Sequence, residues 1–261
     1  ELPEELPEVD GILGTGSFDE VVTALEQADK GETPLLLGDL NAPVSEAGRI
    51  VSTGPGWAYL KIAEGCDNRC AFCVIPSIRG KYRSRPMERI LEEAKGLAAG
   101  GVKELLVVVQ DITRYGLDLY GKPRLAELVR ELCRIEGIHW IRLHYLYPDL
   151  IDDELIRTVA EEEKVVKYLD IPIQHINDNI LKRMHRRGSG AELEALLSRL
   201  RENIPGLVIR TSLITGLPGE GVEEFGQLCD FLRRAKLERA GVFPYSPEEG
   251  TPACSMDGRA T

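Results

Sequence analysis

The stretch WAYLKIAEGCDNRCAFC, residues 57–73, joins a short apolar segment to three closely spaced cysteines. Its first seven residues, WAYLKIA, predict a strand that ends just before the cysteines. Cys66, Cys70 and Cys73 fall within eight positions, and the next cysteine along the chain is Cys133. A closed tetrahedral metal site takes four ligands. Either a distant residue completes this site, or one coordination position stays open.

Strands and helices alternate about six times after this segment. The apolar runs ELLVVVQ, residues 104–110, and LVIRTSLIT, residues 207–215, are typical of the strands. Such alternation builds a parallel sheet, and ELLVVVQ predicts a strand covered on both faces. A full eight-unit barrel usually takes about 250 residues. Residues 57–245 number only 189. The predicted fold is therefore α/β, a partial (β/α)6 TIM-like barrel.

The chain divides into three predicted regions. Residues 1–56 are an N-terminal remnant and linker, residues 57–245 the core, and residues 246–261 a tail leading towards a missing domain. The first region includes a short predicted helix from Ser17 to about Gln27. Its apolar positions recur at helical spacing; they are Phe18, Val21, Val22 and Leu25.

The cysteine loop follows directly after the first strand of the barrel. Ligands of such folds gather at the carboxyl ends of the strands, so position and chemistry agree. Thiolates suit soft metals, including iron–sulfur clusters. Three cysteines would leave one iron of a four-iron cluster open to a small molecule. A zinc site is the competing hypothesis, and it would borrow Cys133, His139 or His144, or keep a water.

Composition indicates a protein of the reducing cytoplasm. The 261 residues contain six cysteines, too few and too clustered for a secreted disulfide framework. No apolar run approaches the roughly 20 residues that span a bilayer, and no signal segment is present. The formal charge of −11 argues against tight, nonspecific binding to RNA and suits a basic protein partner.

The segment KIAEGCDNRCAFCVIPSIRGKYRSRP, residues 61–86, resembles the radical S-adenosylmethionine (SAM) superfamily and, within it, the methylthiotransferases. The resemblance extends from about Leu6 to Pro252. It implies that Cys66, Cys70 and Cys73 hold a 4Fe–4S cluster and that SAM binds the open iron. In this superfamily, electron transfer cleaves SAM to methionine and a deoxyadenosyl radical, which abstracts hydrogen from an unreactive carbon.

Two further stretches are similar to the RimO-type branch of the methylthiotransferases. They are VVVQDITRYG, residues 107–116, and IPIQHINDNILKRMHRRGS, residues 171–189. That branch modifies an aspartate β-carbon in protein twelve of the small ribosomal subunit. The resemblance implies this ribosomal protein as substrate and flavodoxin or ferredoxin as electron donor, with no membrane association and no RNA binding. The alternative within the family is a tRNA adenosine methylthiotransferase.

The resemblance also implies roles for individual residues. Asp111 and Tyr115 would orient the substrate, although a surface turn would explain both. Nine residues would contact the cofactors. For most of them, core packing, strand-end capping or a simple turn is the competing explanation. The nine are Phe72, Gln110, Gln174, Arg187, Arg210, Gly216, Glu220, Phe243 and Tyr245.

The chain also departs from the family. Complete methylthiotransferases carry an N-terminal domain in which three more cysteines hold a second cluster, and they end in a small β-barrel domain. Here the first 65 residues contain no cysteine, and only 16 residues follow Tyr245. We therefore expect a catalytic core that cleaves SAM but cannot complete methylthio transfer.

Overall fold

The computed structural model describes residues 6–46, 49–54 and 56–258, so parts of the predicted terminal regions lie outside the described residues. The strands are β1 Ile12–Leu13, β2 Leu35–Leu36, β3 Trp57–Lys61, β4 Ala63–Glu64, β5 Arg83–Ser84, β6 Glu104–Val108, β7 Trp140–Leu143, β8 Val165–Asp170, β9 Val208–Thr215 and β10 Arg239–Pro244. The helices are α1 Val21–Ala28, α2 Ile75–Arg79, α3 Met87–Ala99, α4 Leu117–Tyr120, α5 Leu125–Cys133, α6 Asp153–Glu161, α7 Asp178–Arg183, α8 Gly190–Asn203 and α9 Val222–Ala235. Over the same residues, none of these helices has the length and apolarity needed to cross a bilayer.

Six strands form one parallel sheet in the order β10-β9-β8-β7-β6-β3. Neighbours in this sheet follow one another along the chain, with helices between them, as right-handed βαβ crossovers require. Within the described residues, β3 and β10 are the two edges and do not pair with each other. The sheet is therefore an open arc of six βα units, and the predicted partial barrel is confirmed.

The main core lies between this sheet and its helices. Leu105 and Val107 of β6 are fully buried in the same cluster as Leu128 and Leu132 of α5. The alternate residues of β6 are only partly buried. The prediction that this strand is covered on both faces is therefore wrong: one face is only partly buried, and its last residue, Val108, lines a cavity.

The N-terminal helix differs from its predicted pattern. Ala24 is the buried residue of α1. The predicted apolar positions are exposed instead: Phe18 is 49%, Val21 46%, Val22 63% and Leu25 61% exposed. The nearby sheet consists of β1 and β2, two residues each, and offers little surface to pack against. Helical periodicity predicted the helix correctly, but its apolar residues do not form a buried face.

A capping box at the start of α8 gives a testable stability effect. The Ser189 hydroxyl accepts a hydrogen bond from the Glu192 N–H, and the Glu192 carboxylate accepts one from the Ser189 N–H. Ser189→Ala should lower the free energy of unfolding by about 1 kcal/mol. Ser198→Ala, at an exposed position of the same helix, should change it by less than about 0.5 kcal/mol. Urea unfolding of both variants measures the difference, and equal effects would contradict the role of the cap.

Candidate active site

The cysteine loop leaves the barrel between two short strands. β4 and β5 pair antiparallel and close the loop at its base. The Cys66 N–H donates to the Gly80 carbonyl (3.3 Å), and the Cys73 N–H donates to the Cys70 carbonyl (3.0 Å). Gly65 begins the loop in the left-handed region with a φ of +77°. These contacts hold the loop at the carboxyl end of β3, as the sequence predicted.

All three thiols line one cavity of about 550 Å³, a size in the range of small-molecule sites. Its wall also includes residues that follow the neighbouring strands. These are Val109 and Gln110 after β6, Tyr145, Leu146 and Tyr147 after β7, and Pro172 and Gln174 after β8, together with Ser212 of β9. The site is therefore lined by residues at or beyond the carboxyl ends of β3, β6, β7 and β8, together with one residue within β9.

The thiols do not converge on one point. Among the described residues, no three His, Cys, Asp or Glu side chains lie close enough to hold a single metal ion. A zinc ion at about 2.3 Å from each sulfur would require such convergence. Each cysteine ligand of an iron–sulfur cluster binds a different iron, so its sulfur atoms stand further apart. By its chemistry, a set of three soft thiolates in one loop fits an iron–sulfur cluster.

Burial disfavours the thiolate forms of Cys66 and Cys73 in the ligand-free chain. Burial raises the pKa of Cys66 to about 11, and burial also raises the pKa of Cys73. The nearby Cys70 also raises the pKa of both thiols, which agrees with the three side chains lying near one another. Metal ligation requires thiolates, so loading the site releases protons.

Three of the predicted cofactor-binding residues lie on the cavity wall: Phe72, Gln110 and Gln174. Gln174 has a φ of +70°, unusual for a residue other than glycine. Its N–H donates to the Ser212 carbonyl (2.9 Å), and its own carbonyl accepts from the Ile214 N–H (2.8 Å), so β9 holds it in this conformation. Tyr145, also on the wall, has a φ of +63°. Backbone strain of this kind clusters at functional sites.

The predicted arginines Arg187 and Arg210 do not reach the cavity wall. Arg187 donates to Asp149 (2.5 Å) and to the Asn68 Oδ1 atom (2.7 Å). Arg210 donates to Asp170 (2.7 Å). Protein carboxylates already occupy both guanidinium groups. The arginine on the wall is Arg186, which the sequence analysis did not select.

Asp111 and Tyr115, predicted to orient a substrate, are fully buried and lie off the cavity wall. The Asp111 carboxylate accepts from the Asn68 side chain (2.8 Å) and from the Thr113 N–H (3.1 Å). The Tyr115 hydroxyl donates to the Arg85 carbonyl (3.1 Å). Both side chains thus have partners inside the protein, and Asp111 is hydrogen-bonded to the cysteine loop through Asn68. Their role in orienting a substrate stays a prediction.

The buried Asp111 gives a pH-dependent prediction. Burial raises its pKa above the ordinary value of 3.8. The folded chain then binds this proton more tightly than the unfolded chain, so stability falls as the pH rises from about 4 through the folded pKa. Asp111→Asn removes this titrating carboxyl group and the pH dependence of stability that it causes. Urea unfolding of the cluster-free chain should therefore show wild type losing stability relative to the variant over that window, by at most about 1.4 kcal/mol per pH unit. If the stability of wild type relative to Asp111→Asn stayed constant or rose over this pH window, the prediction would be wrong.

The remaining predicted residues lie beside the carboxyl ends of β9 and β10, off the cavity wall. Gly216 has a φ of +77°, and its N–H donates to the Glu220 carboxylate. The other Glu220 oxygen lies 3.5 Å from the Nε2 atom of the fully buried His175. Phe243 is 52% exposed, and Tyr245 packs against a small second core cluster. Glu220 therefore fixes its own turn.

Sequence reasoning missed several wall residues. They are Lys61, Asn68, Tyr145, Tyr147, Arg186 and Ser212. Asn68 forms hydrogen bonds with both Arg187 and Asp111 and so links these two residues. The available signal was positional. Tyr145 and Tyr147 directly follow β7, and polar or aromatic residues after parallel strands face the ligand side of a barrel.

A profile of the radical SAM superfamily matches residues 60–232, which include the whole cysteine loop and the strands that form the cavity. The chain belongs to the radical SAM superfamily. This membership favours a cluster over the zinc-stabilised module that cysteine spacing alone left open.

Solved structures share the fold at low identity. The radical SAM methyltransferase TsrM from Kitasatospora setae, solved with cobalamin and a 4Fe–4S cluster, aligns with a TM-score of 0.67 at 19% identity, over 82% of this chain and 43% of that chain. Methylornithine synthase PylB aligns with a TM-score of 0.54 at 17% identity, over 79% and 59%.

Curated relatives are similar to this chain at higher sequence identity than these solved structures. The ribosomal protein uS12 methylthiotransferase RimO of Acetivibrio thermocellus is 52% identical over 98% of this chain. The protein of the same name from Geobacter sulfurreducens is also 52% identical over 98% of the chain. This chain spans 58% of the length of each of these two relatives.

Proposed function

We propose that this chain is the SAM-cleaving core of a methylthiotransferase that acts on the β-carbon of an aspartate in protein twelve of the small ribosomal subunit. The observation that carries the proposal is the cavity at the carboxyl edge of the barrel, which all three loop thiols line. Relatives named as uS12 methylthiotransferases match 98% of the chain and support the ribosomal protein over tRNA as substrate.

The cofactors of this proposal are a 4Fe–4S cluster and SAM. Cys66, Cys70 and Cys73 would hold the cluster, since all three line the same cavity and thiolates are the ligands that such clusters take. When bound, the cluster supplies the electron for the reductive cleavage of SAM. Phe72 on the same wall would keep water from the loop, because apolar surroundings control solvent access to such sites.

The remaining residues would bind and orient. Gln110 and Gln174 offer amide donors and acceptors to the methionine part of SAM from the ends of β6 and β8, the two strands that flank β7. The turn that contains Gly216 and Glu220, with Phe243 and Tyr245, is proposed for the adenosine side because it follows β9 and β10. Asp111, through Asn68, would keep the cysteine loop in position.

The wider setting is proposed as well. Residues 57–245 would form the catalytic unit, working in the cytoplasm with flavodoxin or ferredoxin as electron donor. The formal charge of −11 suits a basic ribosomal protein as partner and disfavours RNA.

The test begins with anaerobic reconstitution, followed by incubation with SAM and dithionite. We expect 5′-deoxyadenosine from chains that carry about four irons. Absence of this product from fully loaded chains would refute the proposed activity. Methylthiolated peptide formed by this chain alone would instead contradict the expectation that the core cannot complete the transfer.

The substrate is tested by isotope transfer, which does not require sulfur insertion. A uS12 peptide deuterated at the aspartate β-carbon should pass deuterium into 5′-deoxyadenosine, because the radical abstracts hydrogen from the carbon to be modified. The same peptide with asparagine in place of that aspartate is the matched control. Deuterium transfer from a tRNA stem-loop with labelled adenosine, and none from the peptide, would favour the tRNA-modifying alternative.

A further inference from the structure

Arg186 lies on the wall of the same cavity as the cysteine loop and contacts that loop. It lies just beyond α7, after His185, whose φ is +55°. Its Nη1 atom donates a hydrogen bond to the Cys70 sulfur at 3.7 Å. A guanidinium group therefore contacts one of the three sulfur atoms on the cavity wall.

Two further contacts fix this guanidinium group. Its Nη2 atom donates to the Pro172 carbonyl at 2.5 Å, and its Cζ atom lies 3.9 Å from the centre of the Tyr147 ring. Arg186 is thus held by a carbonyl on one side and by an aromatic face on another. A donor fixed in this way needs no rearrangement to act on the sulfur.

The charge of Arg186 is not neutralised by a neighbouring acid. The adjacent Arg187 pairs with Asp149, whereas no carboxylate of the described residues lies within ion-pair distance of Arg186. The cavity is also largely apolar around Phe72, Ile75, Val108 and Leu146. Low polarity strengthens the action of a fixed charge on its surroundings.

We propose that Arg186 is a positioning residue that raises the reduction potential of the cluster through its hydrogen bond to Cys70. The inference rests on the proposed function, because it requires a cluster on the three cysteines. Hydrogen bonds to ligand sulfur and nearby charge are established determinants of cluster potential. Reduction adds one electron and breaks no bond, and a neighbouring cation stabilises the more negative, reduced form.

The experiment compares reduction potentials in the anaerobically reconstituted chain, by dithionite titration followed by electron paramagnetic resonance. Arg186→Gln and Arg186→Met both remove the charge. At a fixed potential we expect the ratio of reduced to oxidised cluster to fall about tenfold, equivalent to about 59 mV for a one-electron couple. Arg186→Lys keeps the charge but loses the planar group, so its potential should lie between those of the neutral variants and wild type.

Arg89→Gln is the matched control. It removes the same charge from the exposed surface of α3, where Arg89 pairs with Glu92 at 2.9 Å. Its potential should equal that of wild type. A wild-type potential in whichever neutral Arg186 variant retains four irons would overturn the inference. Loss of the cluster from both folded neutral variants would also overturn it, since Arg186 would then serve assembly.

Failure of the proposed function gives a different result. Wild-type chains that bind no four-iron cluster, or that bind one and do not cleave SAM, would refute the function. An unchanged potential in the neutral variants, beside normal wild-type loading and SAM cleavage, would refute only the role of Arg186.

Discussion

Replacing Cys66, Cys70 or Cys73 singly by serine is expected to abolish cluster loading and to lower SAM cleavage by at least about 100-fold. Serine offers a hard oxygen in place of the soft thiolate that iron–sulfur clusters require. Loss of a partner outside the ligand shell already costs 10–100-fold at metal sites, and loss of a ligand should cost more. Iron and sulfide analysis after reconstitution, together with the 5′-deoxyadenosine yield, measures the effect.

Cys229→Ser is the matched control for this series. Cys229 lies on α9, is partly buried, and is not part of the cavity wall. The same atom exchange at this position should leave iron content and SAM cleavage unchanged. Retention of four irons and SAM cleavage by any single variant of the cysteine loop would show that its cysteine is not a ligand. A comparable loss in Cys229→Ser would indicate a general effect on folding.

The fold was largely predictable because its signals are local. Apolar runs separated by amphipathic segments specify βα units, and 189 residues between Trp57 and Tyr245 limit their number. The N-terminal helix shows where this reasoning stops. Periodicity predicts a helix around Val21 and Leu25, but it does not reveal whether another element covers that face.

The cysteines of the site were predictable and its arginines were not. Spacing alone places three thiols in one loop, and the position after a strand directs that loop to the ligand side of the barrel. Arg186 and Arg187 are neighbours in sequence, yet one contacts Cys70 and the other pairs with Asp149. His185, directly before them, has a positive φ that no residue pattern predicts.

Buried polar residues were the second source of error. Glu220 and Asp111 have the composition expected of ligand contacts, and both side chains are directed to partners inside the protein. A buried carboxylate must find donors, and the nearest ones come from the turns that shape the site. Sequence reasoning can locate such residues near the site but cannot distinguish contact with a ligand from support of the residues that make it.

Gly65→Ala is expected to disrupt the cysteine loop and lower the free energy of unfolding by about 3 kcal/mol or more. Gly65 has a φ of +77°, where a residue with a Cβ atom is strained by about 1–2 kcal/mol. That Cβ would also lie 2.1 Å from the Lys81 carbonyl oxygen and 2.6 Å from that of Gly80. Both obstacles are backbone atoms leading into β5, so relief requires separating β5 from β4.

Gly96→Ala separates this effect from the general one of replacing glycine. Gly96 lies within α3, where an added Cβ meets nothing within 4 Å. Alanine there should stabilise the chain by about 0.5–1 kcal/mol, because glycine is the poorer helix former. Urea unfolding should therefore show a loss of stability in Gly65→Ala and a gain in Gly96→Ala, and iron content after reconstitution should fall in Gly65→Ala only. If Gly65→Ala matched wild type in both measurements, the tight closure of the loop at β4 and β5 would not be what positions Cys66.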